Sequence, residues 1–284
     1  MKYLIINADD VGVARNVDDA VIELFNTSSI TACSIMSVGT SFKEACKALK
    51  GRGVCDVGVH FALTGRFRPV SSWEGLSSGL WGGEGFFSSS YMSLARKIWL
   101  GKINMSAVKQ EMIAQVERVR GEGFDITHFD AHEHVHMLPP VLDAALETCA
   151  EFSIPYVRVP FEDPFVAAKS FRVKDLLRHK TLRFFAGMAR RKVKTFGLSS
   201  NSGFLGHFHS GRLTRELFFF MADNMPQGVT ELAVHPTVRS SNLPAWYING
   251  PSEKRILMSE EWKSRLKDLG ISCITHRDII DMRQ

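Results

Sequence analysis

The sequence predicts an α/β fold with a mainly parallel sheet that closes into a variant (β/α) barrel. Short apolar runs rich in Ile, Val, Phe or Tyr alternate with helical patterns along most of the 284 residues. Such runs are typical of buried parallel strands, and their alternation with helices indicates βα units. About seven such units in a chain of this size favour a barrel over an open sheet.

The elements follow one another in a regular order. The strand-like runs are residues 3–7, 30–38, 56–60, 126–129, 156–159, 231–235 and 271–275. The helical patterns are residues 17–26, 42–50, 107–120, 141–151, 214–224 and 260–269. A hydrophobic content of 45% supports one large core, so residues 1–284 are predicted to form a single domain. Two long interruptions, at about 64–104 and 161–212, are predicted to be inserted loops.

The net charge of +5 is concentrated in one segment. Residues 169–194 contain ten Lys or Arg and one acid, Asp175, so the rest of the chain carries −4. A mildly acidic body with one basic segment argues against a broad nucleic-acid surface. In a helical projection, one face of this segment is apolar and the opposite face is mostly basic. The apolar face contains Leu177, Thr181, Phe184, Phe185 and Met188, and the basic face contains His179, Lys180, Arg183, Arg190 and Arg191.

This amphipathic pattern has two interpretations. An ordinary surface helix would pack its apolar stripe on the barrel, and this is the favoured interpretation. A basic amphipathic helix is also suited to peripheral contact with a membrane surface through residues 169–194.

Cysteine usage and the N-terminus indicate a cytoplasmic protein. The five cysteines are odd in number and none has C-x-x-C spacing, which fits a reducing compartment. The apolar stretch at residues 3–6 is too short for a signal peptide, and no run approaches the roughly 20 residues of a membrane span. We therefore expect a cytoplasmic location, with peripheral inner-membrane contact as the alternative, and leave homo-oligomerisation open.

Two adjacent carboxylates end the first predicted strand, in the run Asn7-Ala8-Asp9-Asp10-Val11-Gly12. Parallel α/β folds place their functional sites where strands end. One Asp here would be explained as a helix N-cap. Two side by side repel each other, which favours a metal or catalytic site with positive charge nearby.

The strongest signal is a histidine cluster after the fourth predicted strand. Four of the ten histidines lie in the run His128-Phe129-Asp130-Ala131-His132-Glu133-His134-Val135-His136, with two acids among them. Imidazole is a common metal ligand, and a nearby carboxylate can fix its tautomer. Strand alternation would point only some of these rings into a site, so the sequence leaves open which are ligands.

Two further histidines end predicted strands. His60 follows Val57-Gly58-Val59, and His235 follows Glu231-Leu232-Ala233-Val234. Each alone would be explained as a structural hydrogen-bonding group. Because strand ends converge on one face of a barrel, they are expected to meet the carboxylates and the histidine cluster there.

Carboxylates and imidazoles without thiolates indicate one divalent metal ion. Zinc, manganese, iron, cobalt or nickel suits such ligands, and magnesium is a poorer candidate because it prefers more oxygen ligands. A bound cation of this kind activates water for hydrolysis of an amide, ester or phosphoester. The chain has no G-x-G-x-x-G or Walker A sequence that would indicate other chemistry.

The motifs at residues 7–12, 57–60 and 128–139, with Glu231-Leu232-Ala233-Val234-His235-Pro236, resemble those of the YdjC-like carbohydrate deacetylases, the ChbG and HpnK group. They occur in the same order over nearly the whole chain, and Val11 departs from the family's usual Phe. The run Tyr156-Val157-Arg158-Val159-Pro160 looks closer to the HpnK-like members, which are associated with hopanoid synthesis.

The resemblance implies a fold, an activity and residue roles. The fold would be a barrel of the polysaccharide-deacetylase type, and the enzyme a carbohydrate N-deacetylase acting on a chitooligosaccharide or a lipid-linked N-acetylhexosamine. The implied metal ligands are Asp10, His60 and His132, with Asp9 as general base and His235 as general acid. Supporting or substrate-binding positions would be Asp130, His128, His134 and His136.

Three other functions use similar residues. A metal-dependent phosphoesterase often holds two metal ions. A cyclic amidohydrolase commonly carries H-x-H at its first strand, where this chain has Asp9-Asp10. An inactive carbohydrate-binding homologue would not need Asp9, because binding requires no base.

Overall fold

The computed structural model describes residues 1–71, 79–82, 84–165, 173–239, 241 and 243–282. The strands are β1 (Lys2–Val11), β2 (Ala32–Ile35), β3 (Val57–Phe61), β4 (Ile126–Ala131), β5 (Tyr156–Val157), β6 (Gly203–Leu205), β7 (Gly228–Val234) and β8 (Ile271–Cys273). The helices are α1 (Arg15–Asn26), α2 (Phe42–Gly51), α3 (Tyr91–Trp99), α4 (Met105–Gly121), α5 (Pro139–Glu151), α6 (Val173–Thr195), α7 (Arg215–Asp223), α8 (Gly250–Met258), α9 (Glu260–Asp268) and α10 (His276–Asp281). Short 3₁₀ segments lie at His132–Met137 and Ala245–Tyr247.

The strands form one parallel sheet in the order β5-β4-β3-β2-β1-β7-β6, with β8 paired to the first residues of β1. The two ends of this order approach each other, because the Val157 N–H donates to the Ser199 carbonyl at 2.9 Å. A parallel bridge also joins Glu162, beyond β5, to Phe204 in β6. The predicted parallel α/β fold is therefore confirmed, as a sheet curled into a barrel-like shape.

Helices cover the outer face of the sheet and bury apolar stripes against it. In α1, for example, Val17, Val21 and Leu24 are fully buried, at the i, i+4, i+7 spacing of one helical face. The final helix, α10, begins with a capping box in which Thr275 and Asp278 satisfy each other's backbone N–H groups. Within the described ranges, no helix is long and apolar enough to cross a bilayer.

The concave face of the sheet is polar, and its side chains meet across the barrel. Alternate residues of a strand point to the same side, so Asn7 and Asp9 on β1 share this face with His128 and Asp130 on β4. His128 reaches Asn7 over Gly58, where a Cβ atom would lie 2.3 Å from the imidazole ring. A glycine is therefore required at position 58 for His128 to cross the barrel interior.

The segment predicted to be the second inserted loop, 161–212, contains both α6 and β6. β6 pairs with β7 and is three residues long, which is too short for a recognisable periodic pattern. The first segment, 64–104, contains α3. The division of the chain into one domain with two insertions stays a prediction.

Only part of the predicted apolar stripe on α6 packs on the barrel. Leu177, Phe184 and Met188 are 72%, 65% and 51% exposed, whereas Phe185 of the same stripe packs against the core. The basic face is divided: the guanidinium groups of Arg183 and Arg190 lie 3.9 and 4.0 Å from the ring centroid of Phe161, while Lys180 and Arg191 are exposed. The buried face of α6 is formed by Ala186, Ala189 and Val193, with the two arginines stacked on Phe161 beside it. The membrane contact of this segment stays a prediction.

Candidate metal and catalytic site

A β-bulge in β1 turns two consecutive carboxylates toward the same cavity. Ala8 pairs with Cys33 and Val11 with Ile35, so β1 advances three residues while β2 advances two. Asp10 sits at the extra position with φ of 63°, in the left-handed region that non-glycine residues rarely occupy. In a regular strand Asp9 and Asp10 would face opposite sides of the sheet, so the bulge brings both to the site at a cost in backbone strain.

Asp10 lies between two imidazoles. Its Oδ1 is 3.1 Å from His60 Nε2 and 3.1 Å from His132 Nδ1. One donor atom from each of the three residues falls within 4.8 Å of the others, and all three side chains are buried. Burial raises the pKa of Asp10, but the two imidazoles outweigh it and hold that pKa well below its usual value. Tyr247 donates a hydrogen bond from Oη to Asp10 Oδ2 at 2.6 Å, which fixes the other carboxylate oxygen.

His60 is oriented by Asp130. His60 Nδ1 is 2.8 Å from Asp130 Oδ1, while Ser34 donates to Asp130 Oδ2 at 3.0 Å. Burial lowers the pKa of His60, but the Asp130 and Asp10 carboxylates outweigh the effect of burial. They hold the pKa of His60 well above its usual value. A carboxylate on one ring nitrogen, with the other nitrogen aimed into a site, is the arrangement usually found around metal-binding histidines.

Asp9 is held by donors from two strands. Arg158, which is fully buried just after β5, donates to both Asp9 oxygens at 2.7 Å, and Asn7 Nδ2 donates to Oδ1 at 2.8 Å. His235 Nε2 lies 4.0 Å from Asp9 Oδ2, and the His235 backbone N–H donates to Glu253 at 2.8 Å. The carboxylate and the imidazole therefore face the same space from neighbouring strands β1 and β7.

The histidine cluster divides among three positions. Glu133 and His134 adopt left-handed φ values of 51° and 53°, which reverse the chain immediately after His132. His134 then lines the cavity, whereas His136 turns beneath it and donates from Nε2 to the Arg158 carbonyl at 2.9 Å. Burial lowers the pKa of His136 to about 4, so this ring is neutral at neutral pH. His128 also lies beneath the cavity, where it contacts Asn7 and Thr127.

A cavity of about 150 Å³ opens above these residues. It has room for roughly five water molecules at about 30 Å³ each. The residues that line it are Asp9, His60, Ala131, His132, Glu133, His134, Gly206, His207, Ser210, Ala233, His235 and Trp246.

Three important side chains were not singled out from the sequence. Arg158 appears there as an ordinary cation in a strand, although a positive group near Asp9 and Asp10 was expected. Trp246 and Tyr247 lie on a short 3₁₀ segment with no motif around them. Tyr247 contacts Asp10, 237 positions earlier, and Trp246 contacts His132, 114 positions earlier, and no local pattern reveals such pairs.

Comparisons with known proteins agree with the geometry. A carbohydrate deacetylase of Thermoanaerobacter pseudethanolicus is 23% identical over 277 residues, covering 95% of this chain and 96% of that protein. A chitooligosaccharide deacetylase of Klebsiella pneumoniae is 26% identical over 288 residues, covering 98% and 99%. The crystal structure of an Enterococcus faecalis protein described in terms of cellobiose-phosphate cleavage superposes with a TM-score of 0.77 at 22% identity, covering 98% of both chains. The model of the YdjC-like protein family matches residues 3–268, and the chain therefore belongs to the YdjC-like family.

Proposed function

We propose that this protein is a metal-dependent hydrolase that removes the acetyl group from an N-acetylated sugar. The observation that carries the proposal is the meeting of Asp10, His60 and His132 beside a cavity that Asp9 and His235 also line. Relatives that match nearly the whole chain are named carbohydrate or chitooligosaccharide deacetylases, which supports the same reaction.

The proposed metal ligands are Asp10, His60 and His132. Two imidazole nitrogens and one carboxylate oxygen within 4.8 Å of each other suit zinc, manganese, cobalt or nickel better than magnesium. Asp130 fits the role of orienting His60, because it occupies the Nδ1 side of the ring. When bound, such a cation polarises a carbonyl oxygen and makes water more acidic.

Asp9 is the proposed general base. An ionised carboxylate has about four acceptor positions, and Arg158 and Asn7 use three of them on Asp9. The remaining position faces the cavity and can accept a proton from a water molecule as its oxygen bonds to the acetyl carbonyl carbon. The fixed guanidinium keeps the carboxylate aimed there.

His235 is the proposed general acid. Its ring lines the cavity across from Asp9, so a protonated Nε2 can donate to the sugar nitrogen as the C–N bond breaks. The products are acetate and the free amino sugar. With about 150 Å³ available, the acetamido group fits inside while the rest of the sugar lies near Trp246 at the rim.

The competing functions have less support. A two-metal phosphoesterase would need a second ligand set at the same site. The other group there, Asp9, His60 and Asp130, shares His60 with the first, and Arg158 already occupies both of its carboxylates. A third group, Asp56, His128 and His276, lies beneath the site. The rings of His128 and His276 are stacked 3.7 Å apart at 17°, so their in-plane lone pairs run side by side and do not converge on one ion. An inactive binding protein would not explain the fixed geometry of Asp9.

We also propose that the sugar is carried by a lipid and that α6 contacts an anionic membrane surface. The outward stripe of Leu177, Phe184 and Met188 is accompanied by the exposed cations Lys180 and Arg191. Apolar side chains flanked by lysine and arginine match the chemistry of an anionic bilayer surface. Since α6 also packs near the 3₁₀ segment that begins with His132, such a surface would hold a glycolipid close to the cavity.

The decisive experiment measures acetate release by metal-reconstituted protein. Diacetylchitobiose and a lipid-linked N-acetylglucosamine in anionic vesicles are compared as substrates. Release from either, abolished by a chelator and restored by added metal, is the expected result. Absence of release from both, with metal bound, would overturn the deacetylase proposal. A preference for the free disaccharide would overturn only the lipid-linked substrate.

A further inference from the structure

A chain of buried ionic side chains runs from the cavity floor toward the opposite end of the barrel. It begins at Asp9, whose two oxygens each accept a hydrogen bond from Arg158. It continues with the hydrogen bond that Arg158 Nε donates to Glu231 Oε1 at 2.6 Å. Beyond Glu231, His276 Nε2 lies 3.9 Å from Oε2, and His276 Nδ1 lies 3.1 Å from Asp56 Oδ2. Arg158, Glu231 and His276 are all 0% exposed.

Glu231 holds the one edge of the Arg158 guanidinium that the site itself leaves free. Both terminal nitrogens of Arg158 contact Asp9, and Nη2 also contacts Asp130 at 2.6 Å. Nε, on the remaining edge, donates to Glu231. Because the guanidinium is planar and its donors form a rigid fork, fixing Nε fixes the direction in which the other two nitrogens point.

Glu231 is itself held from below. Tyr156 donates from Oη to Glu231 Oε2 at 2.9 Å, and the His276 ring approaches the same oxygen. Burial raises the pKa of Glu231, but the positive charges of Arg158 and His276 outweigh the effect of burial. They lower the pKa of Glu231 to about 2, so the carboxylate is ionised. His276 is in turn stacked on His128 at 3.7 Å. Each member of the chain is therefore constrained by at least one neighbour that has no contact with the cavity.

We propose that Glu231, supported by Tyr156 and His276, is a positioning residue for Asp9 and acts through Arg158. The proposal rests on the proposed function, in which Asp9 is the general base. Glu231 does not line the cavity. Within the part of the chain that the structure describes, it contacts none of the three proposed metal ligands. Its effect should therefore fall on the chemical step and leave substrate and metal binding in place.

A matched pair of variants separates this role from a general structural one. Glu231→Met and Glu231→Gln remove the same charge and have similar size, but only Gln keeps an oxygen that can accept from Arg158 Nε. Glu231→Met is expected to lower kcat about 10- to 100-fold with little change in KM, and Glu231→Gln to recover most of that loss. Equal losses for Met and Gln would overturn the proposal, and so would equal kcat values for Met and wild type when the Arg158–Asp9 contacts are unchanged.

A double-mutant cycle with Arg158→Lys tests whether Glu231 acts through Arg158. Lysine has no Nε edge, so adding Glu231→Met to Arg158→Lys should cause little further loss of kcat. Losses that multiply would show that Glu231 acts independently, against the proposal. If Glu231→Met does not fold, Tyr156→Phe takes its place. The expected result is then a smaller loss of kcat at unchanged KM. An unchanged kcat in Tyr156→Phe would contradict the proposal.

A crystal structure of Glu231→Met gives a readout that needs no activity. We expect at least one of the two Arg158–Asp9 contacts, both 2.7 Å in the wild type, to lengthen beyond hydrogen-bonding distance. Both contacts unchanged would overturn the positioning role. Displaced contacts with wild-type kcat would instead count against Asp9 as the base, which is a failure of the proposed function.

Discussion

Arg158 donates to both oxygens of Asp9 at 2.7 Å, although the two residues are 149 positions apart in the chain. The neighbouring Asp10 makes no such contact and instead lies between His60 and His132. Two adjacent carboxylates thus have different partners: one faces a fixed cation and the other faces imidazoles. This difference is the structural basis for assigning proton transfer to Asp9 and metal binding to Asp10.

Replacement of Asp9 by Asn should abolish acetate release while leaving the metal bound. The amide keeps the size of the side chain but cannot accept a proton from water, so we expect kcat to fall at least about 100-fold. Metal content is measured on the same preparation. Asp19→Asn, an exposed change on α1, serves as the control. Substantial acetate release by Asp9→Asn would remove Asp9 from the mechanism.

Replacement of Asp130 by Asn should weaken metal binding without removing a proposed ligand. Asp130 holds the Nδ1 side of His60, and loss of such a partner typically lowers metal affinity about 10- to 100-fold. Competition with a chelating dye measures the affinity for zinc or cobalt. Asp125→Asn, whose side chain is 79% exposed, is the control. The same affinity in wild type and Asp130→Asn would contradict the assigned role.

Stability should depend on pH through His276. Burial lowers the pKa of His276, but the Asp56 and Glu231 carboxylates outweigh it and raise it to about 9. This pKa exceeds the value of about 6.5 in the unfolded chain. Protonated His276 therefore contributes its full stabilisation of the fold below about pH 6.5. The contribution, on the order of 3 kcal/mol, is lost as the pH rises through 9.

Urea unfolding at pH 6 and pH 9.5 checks this dependence. The wild type should lose more free energy of unfolding between the two values than His276→Gln does, since both proteins share all other titrating groups. An identical loss in both would show that His276 does not carry the effect.

Replacement of the outward stripe on α6 should reduce membrane binding. The combined change Leu177→Ser, Phe184→Ser and Met188→Ser removes the exposed apolar surface and keeps every charge. We expect at least about a tenfold loss of cosedimentation with anionic vesicles, with unchanged activity on a soluble substrate. Met92→Ser alters a residue that is 67% exposed on α3 and is the control. Equal partitioning of all three proteins would reject the membrane contact.

The sequence by itself determined the class of fold and which side chains could serve as metal ligands or catalytic groups. Strand-sized apolar runs that end in Asp10, His60 and His235 are local patterns, and parallel barrels place such ends on one face. The family motifs added residue roles. Both kinds of information depend on short stretches of chain, which is why they could be read without coordinates.

Only the tertiary structure decided how these residues divide their roles. The bulge that turns both Asp9 and Asp10 inward depends on the pairing of β1 with β2, and the reversal at Glu133 and His134 separates His132 from its neighbours. The contacts of Arg158 join strands distant in the chain. Which side chains of α6 are buried and which are exposed also depends on three-dimensional packing, as the stacking of Arg183 and Arg190 on Phe161 illustrates. Side-chain partners across a barrel are set by register and twist, and neither is written in any single segment.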